Sequence, residues 1–537
     1  MAESEGDRQS ASRQSGRYVF PGDKYVRPGI DDRPDPNVVL SDADKEAIAR
    51  LAVRMSSNYA EPSATQPGVQ ATRMTAETAP AVAAATIDAA VPDPESSFLD
   101  LRDPMVAADG TRPSRADVLR LKIGFVVAAV LCAIPWSAAT GVLMPELFDR
   151  IDHASAVGAF CLLNGFGAVV AFASQTFFTA VSDGTRSSLG RRTIWIVAGG
   201  LLAGLMIWAL SSLADVVKAT GVLTLLWCVA QICYNLMLGP LAVSLSDRVP
   251  DKFRASADSW YGAAMVVGQT IGGFAAVAFV GDIPRGLGWG AAVLAVTGVV
   301  TVAIWPREHS SLEMHLPAHS VDEAFSVLRV RGLAPGFRRV FWSRLLAMTA
   351  MGSVTMVAYF FVKFRVVGAG LGADGGAVSD GTTVSERAAL LIAWMGLVTL
   401  VMALLAARVS GPIAERIGAW WASLASAALI AVGALMPVVM PDRIGVLLFA
   451  ALAGFGFDLF NAVGQELATS VLADPRTAGR VLGVLNLAPV LGAVASAVIV
   501  AALFAATGNF TAIFGAATVC ALASAVFVVS VRGAISE

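Results

Sequence analysis

The chain has 537 residues, 56% of them apolar and only 15% charged, with a mean hydropathy of +0.66. Soluble domains are typically ~25% charged, so composition selects a membrane class before any position is named. A net charge of −2 gives no electrostatic reason to expect nucleic acid as a partner. All five cysteines fall inside apolar runs, as small hydrophobes and not as disulfides or metal ligands.

In chain order, residues 1–115 are polar, rich in Pro, Ser and Asp and without a sustained apolar period, and are read as a mostly disordered cytoplasmic tail. Near 41–55, Ser41 and Asp44 make a capping box. Ile48, Leu51, Ala52 and Met55 follow at i, i+3, i+4, i+7. This is a short amphipathic helix, either docked on the membrane or the bundle, or without a role. The charged N-terminus has no secretory-signal pattern.

A membrane span needs ~20 apolar residues. Twelve runs qualify: 121–147, 155–181, 193–213, 220–244, 257–280, 287–305, 341–362, 388–408, 419–440, 444–470, 481–505 and 510–530. The expected fold is therefore an all-α membrane protein of twelve transmembrane helices in two six-helix bundles. One bundle occupies 116–305 and the other 341–531, with a cytoplasmic linker at 306–340 and a cytoplasmic C-terminus at 532–537. The loops on the N-terminal side hold the larger share of Lys and Arg, which places both ends in the cytoplasm. An Ala- and Arg-rich composition suggests a bacterial cytoplasmic membrane. His309, His315 and His319 lie in the polar linker, where they are read as solvated; no metal and no cofactor is expected. There is no phosphate loop, so an ion gradient and not ATP should drive any work done.

The two halves echo each other. "AVSDGTRSSLGRR" between spans 2 and 3 and "SGPIAERIGA" between spans 8 and 9 each carry a carboxylate (Asp183, Glu415), an arginine (Arg186, Arg416) and a glycine (Gly190, Gly418). After spans 4 and 10, "YNLMLGPLAVSLSDRVPDKFRAS" and "FNAVGQELATSVLADPRTAGRVLG" each run aromatic-Asn, then Leu-x-Asp and a basic turn. Two matching sites in register indicate a duplicated bundle.

The repeated loop resembles the cytoplasmic signature of the major facilitator superfamily. Its long form, with Thr185-Arg186-Ser187 ahead of Gly190-Arg191-Arg192, is similar to the glycoside–pentoside–hexuronide and sucrose-type sugar symporters, whose loop reads S-D-R-T-R-S-R-F-G-R-R. "LGVLN" at 482–486 resembles the same group, and the likeness covers about residues 120–530. Gly184 and Ser188 stand where arginines are usual, and Thr179 where a glycine is. The resemblance implies a monomeric, multi-pass secondary transporter that rocks between two states. Asp183, Arg186, Gly190, Arg191, Arg192, Glu415, Arg416 and Gly418 would form its cytoplasmic gate. The bland alternative is that these basic residues only fix topology.

An ionisable group at mid-bilayer costs at least ~2.5–3.5 kcal/mol on insertion scales, so polar residues inside spans are candidates for the solute and ion path. Span 10 offers Asp458, Asn461 and Gln465 on one face, with Glu466 beside them. Gln231 and Asn235 lie in span 4, Asn164 and Gln175 in span 2, Gln269 in span 5 and Asn486 in span 11. Trp136, Tyr359 and Trp394 supply aromatic faces. Amides with aromatic surfaces suit a polyhydroxylated small molecule, while helix–helix hydrogen bonding remains the alternative for each amide. A proton would be taken up by a desolvated carboxylate: Asp458 first and Glu466 second, with Glu146 at the wetter outer end of span 1. Sodium is disfavoured, because spans 2 and 4 carry amides and no mid-span carboxylate. Proton-coupled efflux of drugs or metabolites is the rival reading, although "AAMVVGQTIGG" (263–273) has Gln269 where antiporters resembling one another carry proline. A non-transporting membrane receptor is the third.

Overall fold

The computed structural model describes residues 107, 112–312, 334–368, 383–471 and 484–535. The amphipathic helix expected near 41–55 lies outside them, as do His315 and His319. The described secondary structure is helical, and eleven helices are long and apolar enough to cross a membrane. Hydrocarbon offers the backbone no hydrogen-bonding partner, so only self-satisfied helices can span it here.

The first half comprises α1 (Arg115–Ile151), α2 (Ala156–Asp183), α3 (Thr193–Leu213), α4 (Thr220–Arg248), α5 (Asp251–Phe279) and α6 (Ile283–Ile304). The second begins with α7 (Pro335–Val367). The longest helical element, Val384–Val439, breaks at Gly418 (φ 82°, ψ 151°) into two arms, 384–417 and 419–439, here α8 and α9. α10 (Arg443–Ser470), α11 (Leu487–Thr507) and α12 (Phe510–Ile535) complete it. The twelve apolar runs thus become twelve crossings.

Local chemistry sets the helix starts. Ser114 and Asp117 form a capping box ahead of α1, and Thr383 and Glu386 another ahead of α8. Asp282 accepts from the Arg285 N–H at 3.1 Å, and Asp442 from the Gly445 N–H at 2.8 Å. Small residues let helices approach: a Cβ at Gly204 of α3 would stand 2.7 Å from the Ala291 carbonyl oxygen of α6, and one at Gly433 of α9 2.6 Å from the Ala453 nitrogen of α10. The glycines of "GQTIGG" serve the same end, with a Cβ at Gly268 falling 2.8 Å from the Ala133 Cβ of α1.

The duplication reaches the backbone. Among the described residues only Gly190, Gly418 and Gly508 have positive φ, and the first two occupy corresponding loops of the two halves. The first helix of each half also relaxes into a π turn, Ala139–Leu143 in α1 and Val362–Val367 in α7.

The halves meet along α2 against α11 and α5 against α8, where Gly165 faces Ala497 and Gly273 faces Ala393. These contacts belong to the far end of the bundle, opposite the end at which α1 begins. The largest apolar core runs through both halves there. A second core, around Phe337, Ala347, Ile430, Phe460 and Leu485, belongs to the second half alone.

Candidate functional site

At the near end, the α2–α3 loop folds around one arginine. Arg192, 1% exposed, donates to the Asp183 carboxylate and the Ser182 hydroxyl, and reaches Asp247 at the end of α4 with Nη2 at 2.9 Å and Nε at 3.1 Å. Arg191 donates to the same Asp247 at 2.7 Å. Burial works against the Arg192 charge, but the Coulomb fields of Asp247 and Asp183 outweigh it and hold the guanidinium above its ordinary pKa.

The linker closes over this knot. Glu308 accepts from the Arg192 N–H (3.2 Å) and from the Thr193 N–H (3.0 Å) and hydroxyl (2.8 Å), neutralising the free amides at the start of α3. Gly190, at φ 94°, leaves the space that the Glu308 carboxylate fills. Ser311 bonds reciprocally to Ser187 (2.9 and 3.0 Å) and donates to the Thr185 carbonyl at 3.0 Å. All of these partners lie in the first half or the linker. Arg186 is exposed, without an ion pair to another described residue, and so are Glu415 and Arg416 in the second-half loop. Asp474, the repeat counterpart of Asp247, is outside the described residues.

At the far end a denser ionic cluster joins the halves. Glu146 near the end of α1, 2% exposed, accepts from Tyr359 (2.8 Å) and Lys363 of α7, Ser385 of α8 (2.9 Å) and its own Arg150 (2.9 Å). Lys363 also donates to Asp149 at 2.6 Å, and Asp149 is paired with His153 at 2.7 Å. Arg150 is fixed in turn by the Val280 carbonyl at the end of α5 (2.6 Å). Phe160 and Phe360 meet edge to face beside the cluster, at 5.8 Å. Position in the sequence put Glu146 at a wetter helix end; the other half covers it, which a reading of α1 alone does not reveal. Tyr359, expected as an aromatic surface, serves here through its hydroxyl.

Every described hydrogen bond between the halves lies in this cluster except one, from the Thr270 hydroxyl of α5 to the Gly396 carbonyl of α8 at 3.5 Å. The halves are therefore latched at the far end.

Between the two ends, each half buries polar groups. In the first half Trp136 stacks on Tyr234 (4.1 Å, 4°) and packs against Trp227 (4.6 Å). Gln175 and Gln231 are buried with neither side-chain polar atom bonded, while Asn235 donates only to the Gln231 carbonyl of its own helix. In the second half Asp458 is 4% exposed with Oδ2 unbonded. Asn461 has both polar atoms unbonded, and Asn486 its Nδ2. The Gln465 side chain is outside the described residues. Asn164 is half-buried and bonds to the Phe160 carbonyl of its own turn, and Gln269 is half-buried on α5. Glu466 is exposed towards the end of α10, unlike the desolvated acid expected of it, because it turns away from the core face held by Leu467 and Ala468. Trp394, 49% exposed, packs only its edge against Phe274 at the α5–α8 seam.

Sequence reasoning passed over Asp149, Lys363, Glu308, Asp258 and Arg344, and took Asp247 only as part of the repeated Leu-x-Asp turn. Lys363 carried a signal, as a lone lysine in the apolar run "VAYFFVKFRVV". Arg344 did too, although beside Arg338 and Arg339 it reads as a topology marker. Asp258, 5% exposed with Oδ2 unbonded, lies at the margin of an apolar run.

The arrangement has counterparts among solved transporters. The chain is similar to the nucleoside transporter NupG, with a TM-score of 0.57 at 15% identity over 78% of this chain and 99% of that one. It resembles a peptide transporter, POT, solved with sulfate, at 0.59 and 14% identity over 81% and 99%. A bacterial homolog of the human lysosomal transporter Spinster, inward-facing and unoccupied, gives 0.52 at 17% identity over 79% and 97%. Likeness at these identities establishes the fold, which is the major facilitator fold of membrane transporters. No family model and no curated protein sequence matches the chain.

Proposed function

We propose that this protein is a secondary transporter that moves a small polar solute across a membrane by alternating access. The observation that carries the reading is the asymmetry of its charges. Two six-helix halves are latched at one end by Glu146, Asp149 and Lys363, while the described bonds of the near-end cluster stay within one half and its linker. A rocking motion that parts α1 from α7 breaks the latch and brings the near ends of the halves together. Asp183, Arg191 and Arg192 then lie within reach of partners on the second half. With the loops richer in Lys and Arg facing the cytoplasm, the near end is cytoplasmic and this conformation is inward-facing.

The solute path runs between the halves past Trp136, Gln231 and Asn235 on one side and Asn461 and Asn486 on the other. Amide donors and acceptors beside aromatic faces fit a sugar or glycoside. Coupling is to a proton carried by Asp458, a carboxylate buried within α10. Uptake into proteoliposomes under an imposed pH gradient, against mono- and disaccharides, glycosides and their acidic derivatives, tests this. Asp458→Asn should abolish accumulation against a gradient and spare exchange at equilibrium. Concentrative uptake by that variant would remove the proton assignment, and no gradient-driven uptake of any solute would remove the transporter reading.

A further inference from the structure

Several arginines near the ends of the bundle are held by neighbouring helices. Arg120 donates to the carbonyls of Ile304 and Trp305 at the end of α6, Arg150 to those of Val280 and Gly281 at the end of α5, and Arg339 to that of Ser530 in α12. Arg120 and Arg150 thereby close the C-termini of neighbouring helices, where carbonyls lack intrahelical donors. Arg192 is held by two aspartates. Arg344, 2% exposed in α7, does neither: among the described residues its Nε, Nη1 and Nη2 have no hydrogen-bond partner.

A buried guanidinium without a counter-charge costs several kcal/mol even after relaxation, and such a group inside a membrane bundle is a functional candidate by default. The nearest atom to a Cβ placed on Gly464 of α10 is Arg344 Nη1, at 3.6 Å, so this glycine leaves the helix face beside the guanidinium bare. One turn back on the same face, Asn461 offers an amide with neither atom bonded. Just ahead of α11, Val484 and Leu485 pack into the same core as Val340 and Ala347 on either side of Arg344. There the N-cap residue Asn486 does not cap its helix and keeps Nδ2 unbonded. The forked cation of Arg344, the Asn461 amide one turn from Gly464 and the unbonded Nδ2 of Asn486 are all donors of the second half, and together they complement a planar or tetrahedral oxyanion.

We propose that Arg344 is the receptor for an anionic group, carboxylate or phosphate, on the transported solute, with Asn461 and Asn486 as its flanking donors. The solute is then an acid on a polar skeleton and not a neutral sugar. This rests on the transporter reading, and two separate readouts keep the two apart. The probes share one skeleton: glucose, glucuronate and glucose 6-phosphate, with inorganic phosphate as the bare anion. Thermal stabilisation of the purified full-length protein reads binding, and uptake into proteoliposomes reads transport.

The expected result is that glucuronate or glucose 6-phosphate raises Tm and is taken up at least about tenfold faster than glucose, the loss of one charge-assisted bond being worth that much. Whichever of the two acids prevails decides between carboxylate and phosphate. Arg344→Gln should lose both effects while raising the Tm of the unliganded protein, because the unpaired charge is gone, and Arg344→Lys should keep part of each. Stabilisation that depends on Arg344 without uptake of any probe keeps the anion receptor and removes the transporter reading. Glucose uptake equal to that of the acids and unchanged in Arg344→Gln does the reverse. Stabilisation by none of the acids or inorganic phosphate overturns the receptor. So does restored transport in the double variant Arg344→Gln/Asp458→Asn, which would make the two charges internal partners.

Discussion

Glu146 and Lys363 show how a charge can be affordable in a membrane bundle. Neither helix could hold its own ion cheaply at that depth, but together they meet with Tyr359, Ser385, Arg150 and Asp149 around them. Removing one partner from a buried, hydrogen-bonded pair typically costs about 3–5 kcal/mol, because the other charge stays buried. Lys363→Gln should therefore shift the population towards a parted far end. A cysteine at Phe160, buried beside Phe360 at the cross-half contact, is expected to react at least about tenfold faster with a membrane-impermeant thiol reagent in that variant. The comparison needs a background without the five native cysteines, and unchanged labelling would mean the ion pair does not hold the ends together. The polar residues of α2, α4 and α10 were legible in the sequence because each contradicts its apolar run. The latch was not, since its partners are more than two hundred residues apart and its burial comes from the opposite half.

At the scale of elements, hydrophobic runs alone located all twelve crossings, because a span's length is dictated by the bilayer and not by its neighbours. They did not show that α8 and α9 form one continuous helical element broken only at Gly418. The repeat pairs Gly418 with Gly190, but the two glycines answer different demands. Gly418 has no atom within 4 Å of a would-be Cβ, so only its backbone conformation excludes other residues. Gly190 meets that demand and also gives its space to Glu308. Gly418→Ala should lower stability by about 1–3 kcal/mol, the cost of a non-glycine residue in this region of φ,ψ space. Gly190→Ala should lower it further, by unseating Glu308 from the start of α3. Thermal melts of the purified variants decide this, and equal losses would remove the second role.

For the molecule as a whole, the far-end seam must open once in each cycle if the halves rock. Gly165 of α2 and Ala497 of α11 approach closely enough, 3.1 Å from a built Cβ to the Ala497 Cβ, for a disulfide with slight relaxation. Cysteines at both positions, in a chain stripped of the native five, should cross-link under mild oxidation and stop net uptake, and a reductant should restore it. Full uptake by the cross-linked protein would show that solute passes without parting this seam. That the described bonds between the halves gather at the far end was beyond sequence reasoning. A duplicated sequence describes the two halves and is silent on which of their mutual arrangements is occupied.

Glu308 gives the connection between the halves a mechanical meaning. It belongs to the segment that leads from α6 towards α7, yet it grips the amides of Thr193 and of Arg192, the residue whose side chain binds Asp183 and Asp247. With Ser311 fastened to Ser187 as well, tension along this segment is not taken up at the end of α6. It is delivered to the α2–α3 turn. The described part of the tether therefore leaves the first half from its ionic knot and not from the end of α6.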